Sequence, residues 1–372
     1  MTSVNRPRGV YSPVVTPFTK DLLPDHDRYV RHCRWLIEQD VGLAVFGTNS
    51  EANSLAVSEK MKLLETLVGA DIPVDRLMPG TGCSALTDTV ELSRHALSLG
   101  VNNVLMLPPF FYKGVTDEGL FRSYAQIIER VGSDALRIYL YHIPPVSQVP
   151  LSLALIERLL AAFPGVIAGV KDSSGDWSNT QAMLERFQPQ GFDVFAGNEN
   201  FLLATMRAGG VGCITATGNV NPAAIVELYR HWQSADADAR QAALDATRAA
   251  FARFPMIPAL KAAIGVYSND PDWGIVRPSG RSDASAVRCA RHRTPRNRLL
   301  DAGSRSRRLM CPEEQGRRLH MHPAALLLFT ASASRPIVQR IFVERGFVEV
   351  EAEAWTSRHG QLAVCERQLR IH

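Results

Sequence analysis

Two hydrophobic periods alternate along roughly the first 220 residues. Short apolar runs bounded by turn residues occupy Val10–Phe18, Leu43–Gly47, Arg76–Gly82, Asn103–Pro109, Arg137–Pro144, Val166–Ser173, Phe192–Glu199 and Val211–Thr217. Between them, apolar residues recur at three- and four-residue spacing, as in Asp25–Gln39, Ser58–Val68, Leu86–Leu99, Asp117–Val131, Ser152–Phe163 and Trp177–Phe187. The first pattern predicts buried strands and the second amphipathic helices. Ser58, Thr116-Asp117-Glu118 and Ser152 supply helix start signals, and Gly42, Gly100 and Gly210 sit where helices give way to strands. Strands that alternate with helices pair in parallel. Eight such units predict an α/β fold, a closed (β/α)8 TIM barrel. A doubly wound open sheet would carry a glycine-rich phosphate turn after its first strand, and Gly9–Phe18 has none.

Past the eighth run the pattern changes. Pro222–Arg253 is helical and rich in alanine, and Pro255–Gly265 starts a further helix. The expected division is a barrel over 1–222, C-terminal helices packed on it over 223–276, an arginine-rich segment over 277–320, and a small tail over 321–372. The arginine-rich segment carries 12 arginines, no lysine and few large apolar residues, a composition that does not fold by itself. Two origins fit it, a shifted reading frame in an arginine-biased gene and a flexible basic linker. In the tail, Val338–Val350 and Gln361–Ile371 alternate in part, which predicts two or three antiparallel strands.

Composition sets limits. With 46% hydrophobic and 21% charged residues the chain suits a globular protein, and no run approaches the length needed to span a bilayer. The first residues lack the apolar stretch of a signal peptide, so a cytoplasmic location and no membrane partner are expected. The net charge of +4 is unevenly spread. From Arg277 onward 18 arginines face 9 acidic residues, whereas the preceding part carries 23 basic and 28 acidic residues. The main domain is mildly acidic, and nothing in it points to nucleic acid. The six cysteines show neither metal-binding spacing nor a disulfide framework.

Three segments carry candidate chemistry, each at the C-terminal end of a predicted strand, where barrel active sites form. Gly47-Thr48-Asn49-Ser50 follows the second run and offers hydroxyl, amide and backbone donors suited to a carboxylate; an ordinary turn capping the next helix uses the same residues. In the fifth run, alternation places Tyr139, Tyr141 and Ile143 on one face, with His142 on the other. A tyrosine there is a core residue or a proton relay. Lys171 closes the sixth run among Val166, Ile167 and Val170, and no other lysine ends a predicted barrel strand. A free lysine is only about 0.04% neutral at pH 7, and an apolar setting favours the neutral, nucleophilic amine. It attacks carbonyl carbon to form a Schiff base. A lysine that snorkels from a strand end is the plainer alternative. No constellation of His, Asp and Glu has metal-ligand spacing.

Together these segments resemble the dihydrodipicolinate synthase and N-acetylneuraminate lyase family of class I aldolases. Gly47-Thr48-Asn49-Ser50-Glu51 resembles the family's turn after its second strand. Tyr141-His142-Ile143-Pro144 resembles its tyrosine segment, and Gly169-Val170-Lys171-Asp172-Ser173-Ser174-Gly175-Asp176 its lysine segment. The likeness extends over about residues 8–270 and takes in Pro108-Pro109-Phe110, Gly197-Asn198-Glu199 and Gly212-Cys213-Ile214-Thr215. It implies a lyase in which Lys171 attacks the keto carbon of pyruvate or another 2-oxo acid and Tyr141 moves protons. Thr48 and Asn49 would hold the carboxylate, and Gly197 and Ile214 would line the pocket. It implies no metal or organic cofactor, possible use of an aldehyde as second substrate, and a homo-tetramer or dimer.

The chain departs from the family at several points. The synthase branch has a tyrosine where this chain has Phe111, with Tyr112 beside it, and an arginine shortly after the tyrosine segment, where this chain reads Pro145-Val146-Ser147. Ser50 replaces a glycine and Asn49 a hydroxyl residue. These changes bear on the second substrate more than on the imine centre. Aldol cleavage or condensation leads, followed by dehydration of a 2-keto-3-deoxy sugar acid on the same imine chemistry. The alternative of another class is a non-catalytic barrel that binds a keto acid.

Overall fold

The computed structural model describes residues 6–277 and, farther along, strand residues 337–343, 346–356 and 362–371. The chain divides into two units, Met1–Ala290 and Arg291–His372. In the first, strands β1 (Gly9–Ser12), β2 (Gly42–Leu43), β3 (Asn103–Met106), β4 (Arg137–His142), β5 (Ile167–Asp172), β6 (Asp193–Ala196) and β7 (Gly212–Ile214) form a parallel sheet in the order β2-β1-β7-β6-β5-β4-β3.

The third predicted strand is the correction. Arg76–Gly82 forms no regular strand, yet it occupies a strand's place. Leu77 bridges Leu43 in parallel, and Gly80 bridges Leu105. Met78 and Gly80 donate N–H to the carbonyls of Leu43 (2.9 Å) and Val45 (2.7 Å), and Thr81 donates to Leu105 (3.0 Å). Pro79 lies in the alternating position facing β3 and has no N–H to give, so one rung of the ladder is missing. The segment thus joins the two edges of the seven-stranded sheet. The regular strands are also shorter than their apolar runs. Pro13, for example, follows β1 directly, and β1 ends there.

Buried side chains confirm the closure. Tyr11, Ala44, Met78, Leu105, Tyr141, Ala168, Phe195 and Ile214 form one buried cluster, with a contribution from every strand position including the irregular one. A second, larger cluster lies between strands and helices, with Val10, Leu43, Val104, Leu140, Val170 and Val194 on the sheet side. This is the inside-outside alternation of a side-chain-filled barrel.

The surrounding helices are α1 (His26–Glu38), α2 (Val57–Gly69), α3 (Leu86–Ser98), α4 (Asp117–Val131), the short α5 (Pro144–Ser147), α6 (Leu153–Ala162), α7 (Trp177–Phe187) and α8 (Leu202–Arg207). Thr116 and Ser152 cap α4 and α6 through side-chain oxygens that accept from Gly119 N–H (3.2 Å) and Leu155 N–H (3.0 Å). Ser58 does not cap α2. That helix begins at Val57, and the Glu59 carboxylate accepts from Ala56 N–H (2.9 Å) instead. Helices α9 (Pro222–Arg230), α10 (Ala237–Ala252) and α11 (Met256–Tyr267) follow β7. Phe251, Leu260, Ile264 and Trp273 pack there with Val15 and Val220, beside the ends of β1 and β7. Among the described residues no single helix is long and apolar enough to cross a membrane.

In the second unit β8 (Ile337–Val343), β9 (Gly346–Thr356) and β10 (Leu362–Ile371) make an antiparallel sheet in the order β10-β9-β8. Apart from Arg277, the arginine-rich segment lies outside the described residues, as do 321–336.

Candidate active site

The position of Lys171 depends on one irregularity in the ladder. Ile138 of β4 pairs with Ile167 of β5, but Tyr139 pairs with Gly169, which leaves Ala168 as an extra residue. Such a bulge re-aims the side chains that follow. From there Tyr141 pairs with Lys171 and His142 with Asp172. Lys171 and Tyr141 therefore point together into the barrel mouth. Lys171 is 2% exposed, and its Nζ lies 4.3 Å from the centroid of the Tyr141 ring. No carboxylate among the described residues forms an ion pair with it.

Below Lys171 the chain needs a glycine. A Cβ on Gly169 would come within 2.4 Å of the Asp193 carbonyl oxygen and 2.7 Å of the Tyr139 ring. Tyr139 donates to Asp193 Oδ2 (2.9 Å), and Arg6 Nε reaches the same oxygen at 2.9 Å. Arg6 also donates to the carbonyls of Ala168 and Gly191. Burial pushes the Asp193 carboxyl above its usual range, with Arg6 and Tyr139 opposing, and pushes the Tyr139 phenol up as well. This network fills the floor beneath Lys171, where Tyr11, Tyr139 and Phe195 meet edge to face.

The Tyr141 hydroxyl lies 3.1 Å from Thr48 Oγ1. Thr48 opens a single 3-10 turn, Thr48–Ser50, directly after Gly47. Ser50 Oγ accepts from Gly47 N–H (3.2 Å), and Thr16 Oγ1 donates to the Ser50 carbonyl (2.7 Å). Among the described residues the backbone N–H groups of Thr48 and Asn49 donate to no protein acceptor. Phe46, Gly47, Thr48, Gly80, Leu107 and Tyr141 line one cleft. Asn49 is half-buried on the same turn.

The remaining predicted positions fall around this centre. Ile214 is fully buried in the interior layer that contains Tyr141. Gly197 closes against the end of β5. Its N–H donates to the Asp172 carbonyl (2.7 Å), and a Cβ there would meet Ser173 Oγ at 2.1 Å. His142 faces away from the interior, as its parity predicts. Its Nδ1 accepts from Leu151 N–H (3.0 Å), which leaves the ring proton on Nε2. Burial lowers its pKa, with Asp172 partly opposing. Phe111 and Tyr112 stand exposed, edge to face with each other at 5.2 Å, on the loop after β3. Within one chain the hydroxyl partner of Tyr141 is Thr48.

Two buried groups were not singled out from the sequence. Lys261 on α11 is completely buried and forms an ion pair with Glu51, next to the Thr48 turn. Burial lowers the lysine to about 8, with Glu51 pulling the other way. The available signal was a lone cation in the apolar stretch Ala259-Leu260-Lys261-Ala262-Ala263. Glu199 is also buried; Thr215 and Thr217 donate to its carboxylate, and Arg248 lies at 3.5 Å. Among the described residues no group of three or more His, Cys, Asp or Glu is placed to hold a metal.

Known proteins resemble this chain over the same region. The profile of the Dihydrodipicolinate synthetase family matches residues 6–268. An uncharacterised DapA-like lyase of Chloroflexus aurantiacus is 34% identical over 295 residues, 77% of this chain and 97% of that protein. A 4-hydroxy-tetrahydrodipicolinate synthase of Methanopyrus kandleri is 31% identical over 275 residues, 71% of this chain and 88% of that protein. The crystal structure of dihydrodipicolinate synthase from Agrobacterium tumefaciens superposes with a TM-score of 0.70 at 29% identity, covering 76% of this chain and 97% of that one.

Proposed function

Because this chain belongs to the dihydrodipicolinate synthetase family, and so is a lyase, we propose that it forms a Schiff base between Lys171 and pyruvate or a related 2-oxo acid, and that it makes or breaks the adjacent carbon–carbon bond. The observation that carries this reading is the chain of contacts Lys171–Tyr141–Thr48. A buried amine lies 4.3 Å from the tyrosine ring, and that tyrosine's hydroxyl meets the threonine hydroxyl at 3.1 Å.

The Lys171 amine adds to the keto carbon, and its nitrogen passes a proton to the developing alkoxide. The carbinolamine then loses water to give the imine. Tyr141 is the group in reach to carry these protons, with Thr48 as its hydroxyl neighbour. The substrate carboxylate fits the Thr48 and Asn49 N–H groups and the Thr48 hydroxyl. Ile214 excludes water from below, and Gly197 keeps the β6 rim close to β5. The protonated imine accepts the electron pair of the bond alpha to it as an enamine, and returns it to an aldehyde in the condensing direction. No metal or organic cofactor enters these steps.

Dehydration of a 2-keto-3-deoxy sugar acid on the same imine is the second reading. It is favoured by the apolar, exposed Val146 on α5, near the place where the synthase branch carries a carboxylate-binding arginine. The exposed Phe111–Tyr112 pair suits a contact between copies of the chain, and we include a homodimer or homotetramer in the proposal.

Borohydride reduction in the presence of pyruvate tests the reading. The expected outcome is a reduced adduct on Lys171, absent from Lys171→Ala and formed about 100-fold more slowly by Tyr141→Phe. Folded protein that gains no mass at Lys171 refutes it.

A further inference from the structure

We propose that Lys261 is a positioning residue for the keto-acid site, acting through Glu51 to hold the Thr48–Asn49 turn in its binding shape. The proposal rests on the reading of that turn as the carboxylate cradle.

The turn is held at two unusual hinges. Phe46 and Glu51, which bracket it, have φ of 61° and 58°, in the left-handed region. Neither is a glycine, so each stays there only while its surroundings hold it. From the barrel side the restraints are Thr16 on the Ser50 carbonyl and Ser50 on Gly47 N–H. From the C-terminal side they converge on the Glu51 carboxylate. Lys261 donates to Oε1, and Arg277 N–H donates to Oε2 at 3.3 Å.

Lys261 is itself tightly fixed. Its Nζ donates to the Ile275 carbonyl (2.9 Å) and lies 4.4 Å from the centroid of the Phe18 ring. The Arg277 guanidinium, over the same ring, is paired with Glu59 of α2 and donates to the Leu22 and Ser54 carbonyls. It does not compete for Glu51. The pair therefore ties α11 and the segment after it to the residue that ends the cradle. It meets the chain at the left-handed residue three positions from Thr48. The amine's low pKa, about 8, agrees with a cation kept dry for this contact.

The test is the concentration dependence of borohydride trapping with pyruvate, on the full chain, for the parent, Lys261→Met and Glu51→Gln. Loosening the cradle raises the half-saturating pyruvate concentration by about tenfold or more. Lys171 and Tyr141 stay in place and only the Thr48 contact of Tyr141 is disturbed, so the trapping rate at saturation falls by a smaller factor than the half-saturating concentration rises. If Lys261→Met loses its cooperative melting transition, Glu51→Gln carries the test, since it keeps the side-chain size and removes the charge. Folded variants with the parent's half-saturation overturn the inference, and so does a fall confined to the saturating rate. If the parent itself traps no pyruvate on Lys171, both this inference and the proposed function fail. Trapping by the parent with unmoved variants sinks this one alone.

Discussion

Replacing Gly169 by alanine puts the geometry below Lys171 to a quantitative test. The added Cβ would sit 2.4 Å from the Asp193 carbonyl oxygen of β6 and 2.7 Å from the edge of the Tyr139 ring. Ordinary carbon contacts lie near 3.5 Å, so β5 and β6 must separate or the ring must move by about 1 Å. The ring has little room, because its hydroxyl is bound to Asp193 and it meets the Phe195 ring edge to face. Gly169 has ordinary negative φ, so the cost is contact and not backbone strain. Overpacking of this kind costs about 1–3 kcal/mol. Lys171 follows two residues later on the same face of β5, so the same shift displaces its amine from the Tyr141 ring. Urea unfolding should show a stability loss of about 2 kcal/mol, and pyruvate trapping should slow. Gly69→Ala is the control. Nothing lies within 4 Å of its added Cβ, it ends α2, and it should gain up to about 1 kcal/mol. A Gly169→Ala protein as stable as the parent, with Lys171 trapped at the parent's rate, would refute the close-approach argument.

Two further outcomes follow from the buried polar groups. Tyr139→Phe removes one donor from Asp193 but leaves Arg6 in place, and should cost about 1–3 kcal/mol in urea unfolding while trapping on Lys171 proceeds at the parent rate; an unchanged unfolding midpoint would count against the network. Lys261 has a pKa of about 8 in the folded chain against the ordinary 10.5, so between these values the unfolded chain holds a proton that the folded one has shed. Stability of the parent relative to Lys261→Met should therefore rise with pH across that window, with a slope approaching about 1.4 kcal/mol per pH unit, and stay flat below pH 7; a falling or flat difference across the window would contradict the burial of the charge.

Sequence periodicity was enough to give seven parallel strands, the helices between them and the C-terminal helices, because burial forces apolar spacing to follow local geometry. It also gave the inward face of Tyr139 and Tyr141, since parity along a regular strand is a local property. Arg76–Gly82 shows the limit. Its apolar pattern matches a strand, and its place in the barrel is a strand's place, but Pro79 removes a rung of hydrogen bonds that the hydrophobic pattern does not encode. Lys171 was legible as a strand-end lysine in a characteristic segment. Its pairing with Tyr141 was not, because it depends on the bulge at Ala168, a register event between two strands. Asn49, Gly197 and Ile214 were located by resemblance, and the structure sets each in its own surroundings around the barrel mouth.

Lys261 marks the division most clearly. In the sequence it is one cation in an apolar helix, 210 residues from Glu51. A cation buried without a partner is too costly to persist, so once the fold buries Lys261 it needs one. Which carboxylate that would be, and that it would stand beside the Thr48 turn, depended on how α11 packs against the barrel mouth. Local composition thus determined the elements, their faces and the chemistry available at their ends. Only the closed tertiary structure decided which of those ends meet, because long-range packing and ladder register, not local spacing, bring residues so distant in sequence into hydrogen-bonding distance.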